Sequence, residues 1–88
     1  MTVRWSRRAL SDVAGIYAYI AADNAEAAAR VADHLLAAGE GLARFPQLGR
    51  PGRLAGRREL VVDRHILIYS VRRGEVHIVA VEHGAQRR

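Results

Sequence analysis

The 88-residue sequence contains no cysteine and no lysine. Without cysteine the chain can form neither a disulfide framework nor a thiolate metal site, so its stability must come from packing or from a partner. A reducing cytosol is the compartment that suits such a chain. All 14 basic residues are arginine, a preference that a GC-rich genome explains as well as a function does.

Long apolar runs are also missing. No segment approaches the roughly 18 consecutive apolar residues of a membrane-spanning helix, and the first residues lack the apolar core of a signal peptide. We therefore expect a cytoplasmic protein that is neither exported nor embedded. Half of the residues are nevertheless hydrophobic, which excludes a disordered chain, and the length suits one domain over residues 1–88 with a modest core.

The net charge of +5 is unevenly distributed along the chain. Residues 23–44 carry four acidic residues against two arginines, whereas residues 45–58 carry four arginines and no acid. Such a local basic patch suits nucleic acid, an acidic protein groove or an acidic peptide. The alternative is a solvated loop in which Glu59 pairs with one arginine. The four arginines are Arg50, Arg53, Arg57 and Arg58.

The first half of the chain predicts a strand followed by two helices. Residues 2–5 are β-prone, and Ser6 can cap a helix. A second cap at Asn24 begins another helix, which Phe45-Pro46 ends because the residue before proline avoids the α conformation. The apolar face of the first helix is predicted to contain Leu10, Val13, Ile16, Tyr17 and Ile20.

The second half predicts a long loop and three antiparallel strands. Residues 46–56 contain both prolines and three glycines. Residues 59–62, 66–72 and 76–82 are rich in Val, Ile and Tyr and are separated by hairpin-length turns. Strict alternation would place Val76, Ile78 and Ala80 opposite His77, Val79 and Val81. Both sheet faces are then apolar, and the face that the helices leave open is expected to meet another chain.

Five short motifs, in this order and spacing, resemble the RelE/ParE superfamily over essentially the whole chain, and the ParE branch most closely. The resemblance implies an α+β fold of order β-α-α-β-β-β, with a helical hairpin packed on a small antiparallel sheet. The motifs are Trp5 with Ala9-Leu10 and Asp12, residues 16–20 (IYAYI), residues 45–50 (FPQLGR), residues 58–62 (RELVV) and residues 79–84 (VAVEHG).

The resemblance also implies a function. Members of this superfamily are toxins that pair with a cognate antitoxin in a hetero-oligomer. ParE-like members poison DNA gyrase by binding, without catalysis, whereas RelE-like members cut mRNA on the ribosome. One fold serves both activities, so the fold does not decide between them. A decayed toxin that survives as an antitoxin-binding module is a third alternative.

The residues favour the gyrase-binding class. RelE-like nucleases have the sequence Arg-Leu-Val-Tyr in the middle strand, and the arginine binds the phosphate of the RNA. Residues 66–69 of this chain read Ile-Leu-Ile-Tyr, so Ile66 stands in place of that arginine and cannot bind a phosphate. The C-terminal residues also lack the aromatic acid or base of those nucleases. If the protein is a nuclease, His83 is the candidate acid or base and Arg57 and Arg58 are the candidate phosphate ligands.

The remaining candidate residues favour binding over catalysis. The basic cluster of residues 50–58 is predicted to contact a partner, either the acidic tail of an antitoxin or the target. Trp5, Tyr17 and Tyr19 are expected to anchor the core or an interface. His65 and His77 have no carboxylate at metal-ligand spacing, so neither a metal nor a cofactor is predicted.

Overall fold

In the computed structural model, which describes residues 1–84, two helices pack on one face of a five-stranded sheet. The strand order across the sheet is β1-β5-β4-β3-β2. The predicted fold class is confirmed. The elements are β1 Thr2–Trp5, α1 Arg7–Ala21, α2 Ala25–Gly41, β2 Arg50–Pro51, β3 Arg58–Val62, β4 His65–Arg72 and β5 Glu75–His83.

Two features of the sheet differ from the predicted small antiparallel sheet. First, β1 pairs with β5 in the parallel direction, so the sheet is mixed. A parallel pair needs a long connection between its strands, and the two helices are part of that connection. Second, the loop contains the two-residue strand β2, in which Arg50 pairs with Glu59 and Pro51 with Arg58. This short strand ends in proline at the sheet edge, where proline is tolerated.

Helix α1 begins where Ser6 predicts, because the Ser6 hydroxyl accepts a hydrogen bond from the Ala9 N–H at 2.9 Å. Its buried face is displaced from the predicted one. Ala9 and Val13 are buried, whereas Leu10 and Tyr17 are 49% and 42% exposed. The face of α1 that packs on the sheet therefore contains Ala9 and not its neighbour Leu10. The small side chain of Ala9 lets the helix approach the sheet closely.

Helix α2 begins at the predicted cap, where the Asn24 side chain accepts a hydrogen bond from the Ala27 N–H at 3.0 Å. It ends at Gly41 rather than at Phe45, and residues 42–44 continue as tight turns with i→i+3 bonds. The end of the helix contacts β1. The Trp5 indole N–H donates to Glu40 at 2.7 Å, and a Cβ atom on Gly39 would overlap the Trp5 ring.

Strand β5 contains a bulge that the regular alternation did not anticipate. Ile68 pairs with Ala80 and Tyr69 with Ile78, so Val79 is the extra residue between them. Beyond the bulge the faces exchange, and Val81 joins Val76 and Ile78 in the core. The predicted grouping of Val81 with His77 was therefore wrong. Strand β4 alternates regularly, as the spacing of its residues in the sequence predicts, and Leu67 and Tyr69 are in the core.

Helix α1 satisfies the backbone groups that the bulge displaces. The Ser6 hydroxyl donates to the Val79 carbonyl at 2.7 Å, and the Asp12 carboxylate accepts from the Val81 N–H at 2.9 Å. Buried backbone groups without partners are costly, so these two side chains stabilise the irregular strand. This gives Asp12 of the first sequence motif a structural role, about two helical turns after the Ser6 cap.

The core lies between the helices and the sheet. Its largest fully buried side chains are Tyr69, Leu35, Leu42, Leu67 and Ile78. Within residues 1–84, neither helix is long and apolar enough to cross a membrane.

Candidate functional site

The basic loop that follows α2 is held on the sheet by a buried tyrosine. Tyr69 is fully buried, and its hydroxyl donates to the Pro46 carbonyl and accepts from the Gly49 N–H, each at 2.8 Å. A Cβ atom on Gly49 would approach the Tyr69 ring within 2.8 Å. The sequence Phe-Pro-Gln-Leu-Gly thus places its glycine where the backbone must approach an aromatic ring closely.

A buried carboxylate holds the next part of the loop. Glu59 is only 6% exposed, and it accepts hydrogen bonds from the Arg50 guanidinium at 3.4 Å and from the Arg53 backbone N–H at 3.2 Å. Glu59 thus pairs with a loop arginine, as the solvated-loop alternative supposed, and Arg50 is the partner. Since burial disfavours an isolated carboxylate, these donors are what allow Glu59 to remain inside.

The four arginines of the predicted partner site divide into two groups. Arg50 pairs with Glu59, and the Arg58 guanidinium donates to the Gly49 carbonyl at 2.6 Å, so both contribute to the loop structure. The side chain of Arg53 is exposed. Arg57 is half-buried, and its backbone closes the loop with Gly52 at 2.7 Å. Arg53 and Arg57 are the two best placed to contact a partner.

The predicted acid or base, His83, lies at the other end of the sheet. It pairs with His65 across β4 and β5, and their rings meet edge to face with centroids 5.3 Å apart. His65 is buried, and its Nδ1 atom has no hydrogen-bond partner within residues 1–84. Burial and the neighbouring His83 lower the pKa of His65, while Asp63 acts in the opposite direction.

The structure does not bring His83 together with the arginines named for the nuclease alternative. Arg58 pairs with Tyr69, which is four residues along β4 from the partner of His83. At the usual rise of a strand, that separation is about 13 Å along the sheet. The sequence analysis noted that the C-terminal residues contain no aromatic acid or base. The last four of these residues lie outside the described part of the chain.

His65 and His83 line a groove of about 930 Å³ between α1 and the end of the sheet. Apolar side chains of α1 line its other side, including Ile16, Ile20 and Tyr19, which is 85% exposed. Most of the exposed large apolar side chains among the described residues belong to the helices and to the loop after α2, and few belong to the sheet. Among the strands, only Val61 is a large apolar residue with more than half of its surface exposed.

The open face of the sheet has a polar end that the sequence analysis missed. The Arg4 guanidinium donates to Glu75 at 2.8 Å, and the other carboxylate oxygen of Glu75 lies 3.2 Å from Nε2 of His77. The Arg4 hydrogen bond lowers the pKa of Glu75 and raises that of Arg4. His77 was assigned to an apolar face, which was wrong, because Glu75 lies two residues before it on the same face and Arg4 pairs with it from β1.

One row of the open face, next to the His65–His83 end of the sheet, is apolar and acidic. Ile66 is 6% exposed and lies between Val61 on β3 and Glu82 on β5. No basic side chain belongs to this row of the sheet. Within residues 1–84, no group of three or more His, Cys, Asp or Glu side chains could hold a metal ion.

Comparison with known proteins agrees with this architecture. Toxin RelE2 of Caulobacter vibrioides is 38% identical over 84 residues, covering 96% of each chain. Y4kP of Sinorhizobium fredii, a protein whose toxin assignment is provisional, is 41% identical over 87 residues, covering 97% of this chain and 90% of its own.

A solved structure described as the chromosomal ParDE toxin-antitoxin system of P. aeruginosa has the same fold. Its TM-score is 0.83, with 23% identity over 94% of this chain and 95% of that one. The sequence model of the ParE toxin of type II toxin-antitoxin systems matches residues 3–88. The chain therefore belongs to the ParE toxin family of type II toxin-antitoxin systems.

Proposed function

We propose that this toxin acts in the cytoplasm by binding and inhibiting DNA gyrase, that it does not cut RNA, and that a cognate antitoxin neutralises it. The observation that carries the proposal is the row of Val61, Ile66 and Glu82, which crosses the open sheet face next to the His65–His83 pair. This is the row in which the related nucleases place an arginine.

Cleavage of RNA develops negative charge on a phosphate, and the enzyme must stabilise that charge with cations. Ile66 occupies the position of the phosphate-binding arginine, and its side chain offers no hydrogen-bond donor. Loss of one such stabilising group costs about 2.7 to 4 kcal/mol, or roughly a hundred- to a thousandfold in rate. A toxin that works by binding is not subject to this requirement.

The antitoxin is proposed from the exposed apolar side chains of α1. Leu10, Tyr17 and Tyr19 are between 42% and 85% exposed, and such residues are favourable at protein interfaces. The P. aeruginosa neighbour is described as a toxin-antitoxin system. Arg53 and Arg57 would add an electrostatic contact to an acidic antitoxin tail or to the target.

RNA cleavage is the second candidate, and one observation favours it. His77 lies on the open sheet face beside a carboxylate that could orient its ring, and Arg4 is attached to the same carboxylate. A histidine held in this way can act as a general acid or base. The name of the C. vibrioides relative also places that protein in the RelE class.

The test incubates the purified protein with gyrase and relaxed plasmid in one reaction, and with programmed ribosomes in another. We expect supercoiling to stop and the message to remain intact. Cleaved message beside unaffected gyrase would refute the proposal. Variants His77→Gln and His83→Gln would then identify the acid or base, because only the catalytic one abolishes cleavage. Inactivity in both reactions would indicate a toxin retained as an antitoxin-binding module.

A further inference from the structure

We infer that the polar end of the open sheet face is a binding site for the phosphodiester backbone of a nucleic acid. We name it the hairpin site, formed by Arg72 and Arg73 at the β4–β5 turn together with Arg4, Glu75 and His77. Arg72, Arg73, Glu75 and His77 line a shallow pocket of about 500 Å³. The inference is independent of the gyrase proposal, because it concerns direct contact with nucleic acid.

The pairing of β1, β4 and β5 assembles the site from distant parts of the chain. Arg72 pairs with Glu75 and Ser70 with His77 across the hairpin, while Arg4 on β1 pairs with His77 from the other side. These side chains share one face because a strand repeats every two residues. The site thus contains three guanidinium groups and one carboxylate, a net charge of +2 when His77 is not counted.

The carboxylate does not neutralise the two arginines of the turn. Both oxygens of Glu75 are engaged, one by Arg4 and the other by His77. Within residues 1–84, neither Arg72 nor Arg73 forms an ion pair, and both are exposed. Guanidinium groups at such a position are available to an anionic ligand, for which their planar array of donors is suited.

The turn holds Arg73 in a conformation that arginine rarely adopts. Arg73 and Gly74 have φ angles of 51° and 75°, as in a two-residue hairpin turn that favours Asn, Asp or Gly at its first position. Arginine therefore occupies a position for which its backbone preference is poor. An unfavourable backbone position of this kind is more common at functional sites than elsewhere.

The lining of the site favours nucleic acid over a protein partner. All four side chains that line the pocket are charged or titratable, and none is apolar. Protein interfaces usually have an apolar and aromatic centre, whereas interfaces with nucleic acid are more polar and much more positively charged. The shared chemistry of DNA and RNA at this site is the phosphodiester group.

The experiment measures fluorescence anisotropy of the full-length protein with a labelled DNA duplex and with a labelled single-stranded RNA, at salt concentrations from about 50 to 200 mM. The test variant is Arg72→Gln/Arg73→Gln. For the duplex, we expect the slope of log K against log salt to become shallower by about 1.8, because each phosphate contact contributes about 0.9. The polymer whose binding is weakened by the Arg72/Arg73 substitutions is the nucleic acid that the site binds.

Two further variants separate the site from general charge effects. Arg30→Gln/Arg44→Gln removes the same charge from α2 and the segment after it, and it should leave the slope unchanged. Glu75→Gln removes the only acid of the site and releases Arg4, so it should bind the duplex more tightly than the parent protein.

Several outcomes would overturn the inference. These are an unchanged slope in the Arg72/Arg73 variant, an equal loss in the Arg30/Arg44 variant, and weaker binding by Glu75→Gln. Two competition experiments against the labelled duplex complete the test. Inorganic phosphate that displaces the duplex as efficiently as an unlabelled duplex would show a site for the free anion, and equal displacement by a poly-glutamate peptide would show a site for acidic protein segments.

Discussion

At the scale of single residues, two buried polar side chains differ in how well they are satisfied. Tyr69 makes two hydrogen bonds through its hydroxyl, one as a donor and one as an acceptor. His65 is also buried, but its Nδ1 atom has no partner within residues 1–84. Tyr69 should therefore stabilise the fold at any moderate pH. His65 should instead make the free energy of unfolding depend on pH.

Replacement of Tyr69 by Phe should lower the free energy of unfolding by about 2 to 4 kcal/mol, because the buried Pro46 carbonyl and Gly49 N–H each lose a partner. Urea denaturation measures the change. Tyr17→Phe is the matched control, since Tyr17 is 42% exposed and its variant should stay within about 0.5 kcal/mol of the parent. Equal stability of the two variants would contradict the anchoring role of the Tyr69 hydroxyl.

Stability should fall as the pH decreases from 7.5 toward 5.5. The pKa of His65 is lowered by burial, so the unfolded chain, with an ordinary histidine pKa of about 6.5, binds protons before the folded one does. The contribution of neutral His65 to the free energy of unfolding is fully present above the unfolded-state pKa. It is lost progressively as the pH falls from there through the lower pKa of the folded state. Urea midpoints across this range measure it.

The variant His65→Gln should reduce this pH dependence whatever its absolute stability is. Tyr17→Phe, which leaves all four histidines in place, is the control and should retain the parent dependence. Identical pH profiles for the parent and the His65 variant would show that another group is responsible.

At the scale of elements, the loop between α2 and β3 combines a structural and an interacting part. Tyr69, Glu59 and Arg58 fasten it to the sheet, and β2 adds two residues of strand pairing. Arg53 projects from the fastened segment and is exposed. A loop held in this way can present a charged side chain to a partner with little loss of conformational entropy.

Two arginines of this loop should respond differently to the same substitution. Arg58→Gln should lower the free energy of unfolding by about 1 to 2 kcal/mol, because it removes a charged donor from the Gly49 carbonyl. Arg53→Gln should leave stability within about 0.5 kcal/mol but slow association with the antitoxin at low salt. Urea denaturation and stopped-flow mixing give the two measurements.

The Arg53 variant serves as the control for stability and the Arg58 variant as the control for association. If Arg53→Gln associates as fast as the parent protein at low salt, the exposed loop arginine is only solvated. If Arg58→Gln is as stable as the parent, its bond to Gly49 contributes nothing to the loop.

At the scale of the whole molecule, a small core is surrounded by exposed apolar side chains that lie mainly on the helices and in the loop. Tyr19, Phe45, Leu48 and Leu54 are each more than 60% exposed. A chain of this length buries a limited fraction of its surface, so its stability alone is expected to be modest. A partner that covers such side chains would add stability by binding the folded state.

The melting temperature should therefore rise strongly when the antitoxin is present. At about a thousandfold excess over Kd, binding adds about 4 kcal/mol, which corresponds to about 16 to 32 °C in a domain of this size. Thermal melts of the free and bound protein test this, with a non-cognate antitoxin at equal concentration as the control. Equal melting temperatures with and without the cognate antitoxin would contradict the prediction.

The amino-acid sequence alone determined the features that depend on neighbours along the chain. The Ser6 and Asn24 caps, the two hairpin turns, the alternation along β4 and the fold class all follow from local preferences and short spacings. The pairing of Glu59 with a loop arginine was also predictable, because both lie within ten residues of each other.

The tertiary structure alone decided the features that depend on how distant segments pair. The bulge at Val79 moved Val81 into the core, and Ala9 rather than Leu10 faces the sheet. Arg4 joins Glu75 and His77 because β1 is parallel to β5, although 71 residues separate Arg4 from Glu75. Strand register and helix rotation are set by the packing of the whole core, and the hairpin site exists only once that packing is complete.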